Sequence, residues 1–371
     1  MPERDREPGA QDVGVESDTE PDVEPDVAAA QRGDEAAFGR IVERHRPELH
    51  LHCYRLLGSV DDAEDAVQDV LVQAWRGLPD FEGRSSVRTW LYRIATRACL
   101  ARRTRDDRRS RLLAATTVAD GVAMPLALTV PWLQAYPDRL LDAVAAREPD
   151  PASRLTARET VEIAVITALQ HLPDAQRAAL VLRDVLGWPA DRCAEALETT
   201  VPAVNSALQR GRATLRDLLG GGRDRWPGGR TAAASADERA LVRRYVDAIE
   251  RADDRAIAAL LRGDVVVGHQ PGAGGNESTE PGWYAGRDQV VAAWAPVLHG
   301  DHPFDLRLVE AWANRQPAVA SYIRLPGTDE HRAFGLSVLR IEDGRVAEVT
   351  NLTADQLPAF GLPLTVEPGA W

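Results

Sequence analysis

Apolar side chains recur at steps of three and four residues through much of positions 34–219, which is the spacing of amphipathic α-helices. A first stripe extends from Ala63 to Leu78, and the opposite face of that helix is acidic. A second helix follows a break rich in Gly and Pro, with Ser85 or Ser86 as its cap. Its apolar stripe is predicted to consist of Val87, Trp90, Leu91, Ile94, Ala98 and Ala101.

A second helical block covers residues 153–219. A short helix, a three-residue turn at 198–200 and a longer helix from Val201 give the layout of a helix-turn-helix. Between the two blocks, residues 112–152 lose the periodicity and are rich in Pro. This stretch, the connector, is predicted to be a long inter-domain linker with local apolar anchors.

The pattern changes again after residues 220–235, which have the composition of a flexible linker. Residues 236–366, the tail domain, contain amphipathic helices, a Gly-rich loop and then several strand-like runs. Asp343 and Gly344 are typical of a hairpin turn between the last two runs. The tail domain is therefore predicted to have an α+β fold.

Charge is distributed unevenly along the chain, whose formal net charge is -13. Residues 1–30 hold ten Asp or Glu against two Arg, whereas residues 84–111 hold ten Arg against two Asp. The composition of residues 1–33 predicts a disordered acidic tail, because so few apolar side chains cannot offset the entropy of ordering. Its role stays open between solubilising the chain and masking the basic segment.

Composition also limits the class of protein. No basic start precedes an apolar run, and no stretch approaches about 18 consecutive apolar residues, which favours a cytoplasmic protein without membrane association. The cysteines at positions 53, 99 and 193 lack the close spacing of zinc or redox motifs. We therefore expect buried thiols, no metal site and no cofactor.

Two segments carry side chains suited to nucleic acid. The helix that starts near Val87 combines an apolar face with Arg, Thr and Tyr, which can neutralise phosphates and stack on unpaired bases. The helix from Val201 leaves small polar residues and Arg210 outward near its start, as a recognition helix does. Each pattern alone also fits an ordinary solvated helix, but together they indicate a protein that grips two separated DNA sites.

These segments resemble two regions of the sigma-70 family. Residues 61–103, DDAEDAVQDVLVQAWRGLPDFEGRSSVRTWLYRIATRACLARR, are similar to region 2. Residues 169–216, LQHLPDAQRAALVLRDVLGWPADRCAEALETTVPAVNSALQRGRATLR, are similar to region 4. No region 3 separates them, as in the extracytoplasmic-function (ECF) group. The resemblance implies region 2 over 34–111 and region 4 over 153–219, and a factor that directs promoter recognition and transcription initiation.

The resemblance also implies site residues. The acidic face would dock on the β′ clamp helices of core RNA polymerase, with the β flap as a further contact; it comprises Asp61, Glu64, Asp65, Gln68 and Asp69. The minus-ten set would take a flipped base and read and melt that promoter element; it comprises Phe81, Arg84, Ser85, Arg88, Thr89, Tyr92, Arg93, Thr96 and Arg97. The minus-thirty-five set comprises Thr200, Pro202, Ala203, Asn205, Ser206, Gln209 and Arg210.

This chain departs from common family residues at Arg97, Ala101 and Asn205, where many relatives have Asn, Asp and a basic residue. Gly211 also replaces a common Ala, which lowers helix propensity by about 1 kcal/mol. These departures concern promoter preference, because they fall in the predicted DNA-reading helices.

The connector segment VPWLQAYPDRLLD is similar to one in sigma factors that carry a SnoaL-like tail, where it threads through the polymerase interior. The tail stretches WYAGRDQVVAAW, ANRQPAVASYIR, LSVLRIEDGRVAEVTNL and AFGLP resemble the SnoaL or ketosteroid-isomerase-like fold, a cone of curved sheet and helices. The expected fold class is thus multidomain, with two all-α sigma domains and an α+β cone-shaped domain. Candidate pocket residues are His269, Trp283, Tyr284, Trp294, Trp312, Tyr322 and Asn351.

Some members of this fold are isomerases or cyclases with an Asp base, but no convincing Asp and Tyr pair stands in the strands. The tail is therefore predicted to be a built-in regulator, with a small molecule or the sigma domains themselves as its partner, and the chain is not expected to be an enzyme. Two alternatives stay open. One is a ligand-responsive helix-turn-helix regulator that does not bind polymerase; the other is an enzyme with an appended DNA module.

Overall fold

The computed structural model describes residues 24–105, 118–119, 121–146, 161–219, 235–299 and 305–367. The helices of the first part are α1 (Glu24–Gln31), α2 (Glu35–Leu57), α3 (Val60–Gly77), α4 (Val87–Arg105) and α5 (Asp138–Ala145). The next helices are α6 (Ile163–Gln170), α7 (Asp174–Leu180), α8 (Ala190–Ala196) and α9 (Val201–Leu219). The tail domain contributes α10 (Ala236–Glu250), α11 (Asp254–Leu260) and α12 (Arg287–His299).

The strands form a two-stranded ribbon and a larger sheet. The ribbon consists of β1 (Val118–Ala119) and β2 (Val122–Ala123). The sheet consists of β3 (Leu261–His269), β4 (Gly282–Ala285), β5 (Asp305–Ala313), β6 (Gln316–Arg324), β7 (His331–Glu342), β8 (Arg345–Leu352) and β9 (Thr365–Val366). Its order is β4-β3-β8-β7-β6-β5, with β9 beside β7, and only the β3–β8 pair is parallel.

Helices α2, α3 and α4 pack as a bundle whose ends are set by local chemistry. Asp34 caps α2 and Ser59 caps α3 through side-chain oxygens that accept backbone N–H groups. Between them, Gly58 adopts φ 74, a conformation that glycine takes without steric cost, and thereby ends α2. A Cβ at Gly58 would lie 2.9 Å from the Gln170 side chain of α6. The glycine that separates α2 from α3 therefore also leaves room for α6.

The disordered tail predicted for residues 1–33 is wrong for its last part. Residues Glu24–Gln31 form α1, and Ala30 is buried against the bundle. The Gln31 side-chain amide donates hydrogen bonds to the carbonyls of Leu78 and Phe81, at 3.1 and 2.8 Å. A few small apolar residues thus suffice for a helix here because a neighbouring bundle covers them. Residues 1–23 lie outside the described residues.

The predicted apolar stripe of α4 is rotated in the structure. Ala101 is exposed, and Trp90, Ile94 and Ala98 are only partly buried. The buried face of α4 consists of Val87, Thr89, Leu91, Tyr92, Ala95, Thr96 and Cys99. Periodicity alone misplaces this face because three of its members are polar and find partners inside the protein.

Helices α6 to α9 form the second bundle, with α8, the turn and α9 in the predicted helix-turn-helix arrangement. Arg177 of α7 is 1 % exposed and donates to the carbonyls of Leu169, Gln170 and Leu172 within this bundle. It also donates to Leu56 at the C-terminal end of α2, at 2.9 Å. A buried guanidinium therefore ties the two bundles together through carbonyl groups at or near the ends of α2 and α6.

The connector, predicted to be a Pro-rich linker with local anchors, is more ordered than expected where the structure describes it. It contains the β1–β2 ribbon, a 3₁₀ turn at Leu126–Thr129 and α5. Leu128, Val130 and Leu133 are at most 1 % exposed. Residues 112–117, 120 and 147–152 of the connector lie outside the described residues.

The sheet of the tail domain is covered on both faces. One face packs with α10, α11 and α12 around a separate core that includes Val319 and Val349. The other face contributes to a core that continues through the connector into both helical bundles. Its residues at the β5–β6 end are small: Ala311, Ala313, Ala318 and Ala320. Small side chains let other backbones approach this part of the sheet closely.

The β5–β6 hairpin ends in a two-residue turn that enters the junction of all parts. Asn314 and Arg315 have φ values of 55 and 59, as in a type I′ turn. Arg315 pays a backbone cost there, since non-glycine residues rarely adopt positive φ. Its guanidinium pairs with Asp142 at 2.7 Å and Asp138 at 3.3 Å on α5, which offsets that cost.

Acid should destabilise the protein through His52, which is buried between Thr96 and the Tyr92 ring. Burial lowers the pKa of His52 to about 3, against about 6.5 in an unfolded chain. As pH falls below 6.5 the unfolded chain takes up a proton that the folded chain does not bind. The free energy of unfolding should thus fall by about 1.6 kcal/mol between pH 6.5 and 5 from this group alone.

Urea unfolding at both pH values measures this loss. His52→Gln keeps a hydrogen-bonding side chain and should show a shallower fall, whereas His299→Gln, at an exposed histidine of α12, should keep the wild-type fall. Equal falls in all three proteins would contradict the assignment to His52.

Candidate nucleic-acid interface and tail cavity

The acidic face lies on α3, and its members are exposed except for Glu64, which is partly buried. Gln68 donates to Glu64, and Arg102 of α4 pairs with Asp65 at 2.6 Å and Asp69 at 3.5 Å. The Gln134 side chain of the connector donates to Asp61 at 2.7 Å. Pairs this exposed are worth little, so the face stays available to a basic partner.

The minus-ten set divides into two groups. Thr89, Tyr92 and Thr96, predicted to face DNA, are buried. Tyr92 donates to Glu48 of α2 at 3.2 Å, and Thr96 bonds to His52 at 2.9 Å. The prediction that these three side chains face DNA is therefore wrong in this conformation, because α2 supplies partners for Tyr92 and Thr96, and Ser86 donates to the Thr89 hydroxyl at 3.0 Å.

The other members of the set lie at or near the surface. Phe81 stacks at 5.0 Å from Trp90, and Ser85 and the exposed Arg84 lie in the loop before α4. Arg88 lies over the Tyr92 ring and donates to Glu48 at 2.7 Å. Glu48 was not among the residues predicted from the sequence. Arg84 and Arg97 are exposed and Arg88 and Arg93 are partly buried, so this loop and α4 form an arginine-bearing edge of the bundle.

Two arginines of that edge face the helix-turn-helix. Arg93 pairs with Glu195 of α8 at 2.6 Å, and Arg97 pairs with Glu198 of the following turn at 3.0 Å. Nearby, the rings of Tyr92 and Trp188 meet edge to face at 6.1 Å. The predicted minus-ten helix is thus partly covered by the second bundle.

The minus-thirty-five set is open by comparison. Its members are exposed at the start of α9 apart from Ser206, which is partly buried and accepts from Arg210 at 2.7 Å. Thr200 caps the helix by accepting from Ala203. Gly211 is needed for packing, since a Cβ there would lie 2.8 Å from Leu180 of α7.

The tail domain contains a partly open cavity of about 520 Å³ between the sheet, α10 and α12. Five of the candidate pocket residues line it: His269, Trp283, Tyr284, Trp294 and Asn351. Trp312 and Tyr322 do not line it, which corrects that part of the prediction. Trp312 lies further along β5 beside Arg315, and Tyr322 points to the opposite face, where it donates to the Pro363 carbonyl.

Sequence reasoning missed other lining residues, among them Tyr245, Phe334 and Ser337. Ser337 could have been found, because it is a polar position between apolar Leu336 and Val338 in an alternating strand. It donates to Asn351 of the neighbouring strand at 2.6 Å.

Three family models match the chain: Sigma-70 region 2 over residues 41–109, Sigma-70 region 4 over 162–215, and the SnoaL-like domain over 242–349. The chain is 37% identical over 346 residues to the ECF RNA polymerase sigma factor SigG of Mycobacterium tuberculosis (strain ATCC 25618 / H37Rv), covering 91% of this chain and 86% of that protein. The chain belongs to the ECF sigma factors.

Other ECF sigma factors are similar over less of the chain or in fold alone. SigM of Mycobacterium tuberculosis (strain ATCC 25618 / H37Rv) is 34% identical over 194 residues, covering 52% of this chain and 83% of SigM. The crystal structure of Mycobacterium tuberculosis SigJ has a TM-score of 0.53 at 22% identity, covering 86% of this chain and 97% of SigJ. The expected fold class, with two helical sigma domains and a SnoaL-like domain, is confirmed.

This ECF sigma factor binds core RNA polymerase and promoter DNA and directs transcription initiation, as its family does. Within the described ranges, no helix is long and apolar enough to cross a membrane. The two helical bundles and the tail domain correspond in position to the three matched models.

Removing the acidic partners of Arg93 and Arg97 should strengthen binding to single-stranded DNA. Exposed ion pairs contribute about 0.2–1 kcal/mol each, so the loss of both pairs in Glu195→Gln with Glu198→Gln should tighten binding by about twofold to thirtyfold. Fluorescence anisotropy with a labelled single-stranded oligonucleotide pool at fixed salt measures this change.

Asp191→Asn with Asp217→Asn is the matched control, because it removes two negative charges from α8 and α9 at exposed positions. An equal gain in the control would attribute the effect to net charge, and not to release of the two arginines.

Proposed function

We propose that this sigma factor is held in a closed arrangement by its tail domain, and that the tail is a built-in regulator of polymerase and promoter binding. In the closed arrangement both helical bundles, the connector and the tail domain pack on one another. We further propose that the acidic face docks on the β′ clamp helices, that region 4 meets the β flap, and that the two DNA sets read the promoter once the arrangement opens.

The observation that carries this proposal is the position of Asn314 at the β5–β6 turn. Its side-chain oxygen accepts from the Tyr136 N–H of the connector at 2.7 Å. Its side-chain amide donates to the Tyr54 hydroxyl of α2 at 2.9 Å and to the Val161 carbonyl just before α6. One buried amide thus joins the tail to both sigma domains and to the connector.

Neighbouring residues of the tail domain form further hydrogen bonds to the connector and to the start of α6. Gln316 accepts from the Ile163 N–H at the start of α6, and Gln356 accepts from the Ala135 N–H, both at 2.9 Å. Arg139 of α5 donates to the Ala359 carbonyl. Since buried backbone groups are costly to leave unpaired, each of these bonds favours the closed arrangement.

The position of the connector in the closed arrangement affects polymerase binding. In sigma factors with a similar connector, that segment threads through the polymerase interior. Here Leu133 and Tyr136 are buried beneath the tail, and the Trp132 indole donates to the Leu57 carbonyl of α2 at 3.0 Å. The connector must leave this position before it can take up such a path.

The surfaces differ in availability, which suggests an order of events. The acidic face and the minus-thirty-five set are exposed, whereas Arg93 and Arg97 are paired with region 4. We propose that the acidic face meets polymerase first and that separation of the bundles then frees the minus-ten arginines.

We assign the tail no catalytic role. The cavity lining contains no Asp or Glu side chain to act as a base. The one titratable group with a lowered pKa there is His269, whose pKa is lowered by burial and which bonds to the Tyr284 hydroxyl.

Asn314→Ala tests the proposed hold. It leaves the Tyr136 N–H and the Val161 carbonyl without their partner, at about 1–3 kcal/mol for each buried group. If only the open arrangement binds polymerase, the apparent Kd for core RNA polymerase should fall by about tenfold or more. Binding is measured by fluorescence anisotropy of labelled sigma factor, and activity by run-off transcription across a promoter library.

Gln289→Ala, which removes an exposed amide from α12 of the same domain, should leave the Kd unchanged. An unchanged Kd for Asn314→Ala, in a protein whose melting temperature has fallen, would reject the tail as a regulator.

A further inference from the structure

The tail cavity has the size and lining of a small-molecule site, since such sites enclose about 300–1,000 Å³ and are mostly apolar. Aromatic and aliphatic side chains dominate its wall. The lining consists of Tyr245, Ile249, His269, Gly274, Gly275, Asn276, Gly282, Trp283, Tyr284, Ala293, Trp294, Val297, Leu298, Leu306, Leu308, Ser321, Phe334, Ser337 and Asn351. None of these side chains carries a fixed charge.

A chain of hydrogen bonds crosses one side of the cavity. The Trp294 indole donates to the Tyr284 hydroxyl at 2.9 Å, and that hydroxyl lies 3.2 Å from Nε2 of His269. The Asn351 amide nitrogen also lies 3.5 Å from this Nε2, and because Nε2 faces that donor we assign it as the acceptor of the Tyr284 proton. Burial lowers the pKa of His269 and raises that of Tyr284 to about 12, which keeps both groups neutral near pH 7.

This polar side offers acceptors to a ligand. The Tyr284 oxygen accepts from Trp294 and keeps one further lone pair, and the Ser337 oxygen, whose proton goes to Asn351, keeps lone pairs as well. A ligand hydroxyl can donate to either oxygen. A charged ligand would lose its hydration without an opposite charge in the wall, which is strongly unfavourable.

The wall of the cavity also holds the connector. Trp283 lines the cavity, and its Nε1 donates to the Val122 carbonyl of β2 at 3.1 Å. Gly268 lies on β3, the strand beside that of Trp283, and a Cβ at Gly268 would approach the Leu128 side chain of the connector to 2.9 Å. Directly after β3, the Gln270 side chain donates to the Leu133 carbonyl at 3.1 Å.

We propose that the cavity binds a neutral, largely apolar ring compound with a hydroxyl group, and that this ligand favours the closed arrangement. The second part rests on the proposed function of the tail. A ligand that fits the cavity formed in the closed arrangement stabilises that arrangement over one in which Trp283 and the connector have moved apart. By reciprocal linkage, a change that loosens the connector lowers the affinity of the cavity for the ligand.

Binding is tested on the full chain by isothermal titration calorimetry with 9-phenanthrol, phenanthrene and phenanthrene-9-carboxylate, which share one ring system. We expect one 9-phenanthrol per chain, bound about fivefold more tightly than phenanthrene and at least about tenfold more tightly than the carboxylate. Tyr284→Phe combined with Ser337→Ala removes both acceptor oxygens and should bring 9-phenanthrol close to phenanthrene. Ala293→Phe should fill the cavity and abolish binding, and Gln289→Ala should bind as wild type.

No binding of any of the three probes, equal binding of the carboxylate, or undiminished binding by Ala293→Phe would overturn the ligand assignment. These measurements do not involve polymerase, so they test the ligand assignment independently of the proposed function.

The regulatory part is tested by the Kd for core polymerase with and without 9-phenanthrol. The ligand should raise this Kd in wild type and have less effect on Gly268→Ala, which displaces Leu128. Gly263→Ala on the same strand, where an added Cβ meets nothing within 4 Å, should respond as wild type. If Asn314→Ala tightens polymerase binding but bound 9-phenanthrol leaves the wild-type Kd unchanged, the proposed effect of the ligand on the closed arrangement is wrong. The proposed regulation by the tail domain would then still be supported.

Discussion

The closed arrangement depends on the burial of one side-chain amide, that of Asn314. An amide has both donors and an acceptor, so it can satisfy an N–H, a hydroxyl and a carbonyl from three parts of the chain at once. No apolar side chain could replace it without leaving buried polar groups unpaired, at a cost larger than a typical hydrogen bond contributes. The unfavourable positive φ at the turn is tolerated because it places this amide at the junction.

Around that junction the protein divides its apolar packing into two parts. One core runs from the helical bundles through the connector to one face of the sheet, and the other lies between the opposite face and the tail helices around the cavity. The sheet is common to both cores. A change on the cavity side therefore needs to move only β3 and β4 to reach the connector, without any path through the helical bundles.

The order of the modules, their types and the helix-turn-helix could be predicted from the sequence, because periodicity and motif spacing are local properties. The inward turn of Tyr92 and Thr96 could not, since their partners Glu48 and His52 stand more than forty residues earlier. The burial of the connector likewise depends on a sheet formed by much later residues. Strand alternation places Ser337 on the cavity side and Tyr322 on the other, but the position of Trp312 depends on how far along β5 the cavity extends.

The small side chains of the sheet face that meets the connector have a further consequence. Separation of the parts would leave an alanine-lined sheet surface and the apolar side of the connector in water together, and both are unfavourable to hydrate. Such a species would be prone to associate with copies of itself. Under the proposed regulation, the parts should therefore separate while another macromolecule is already bound and able to cover the exposed surface.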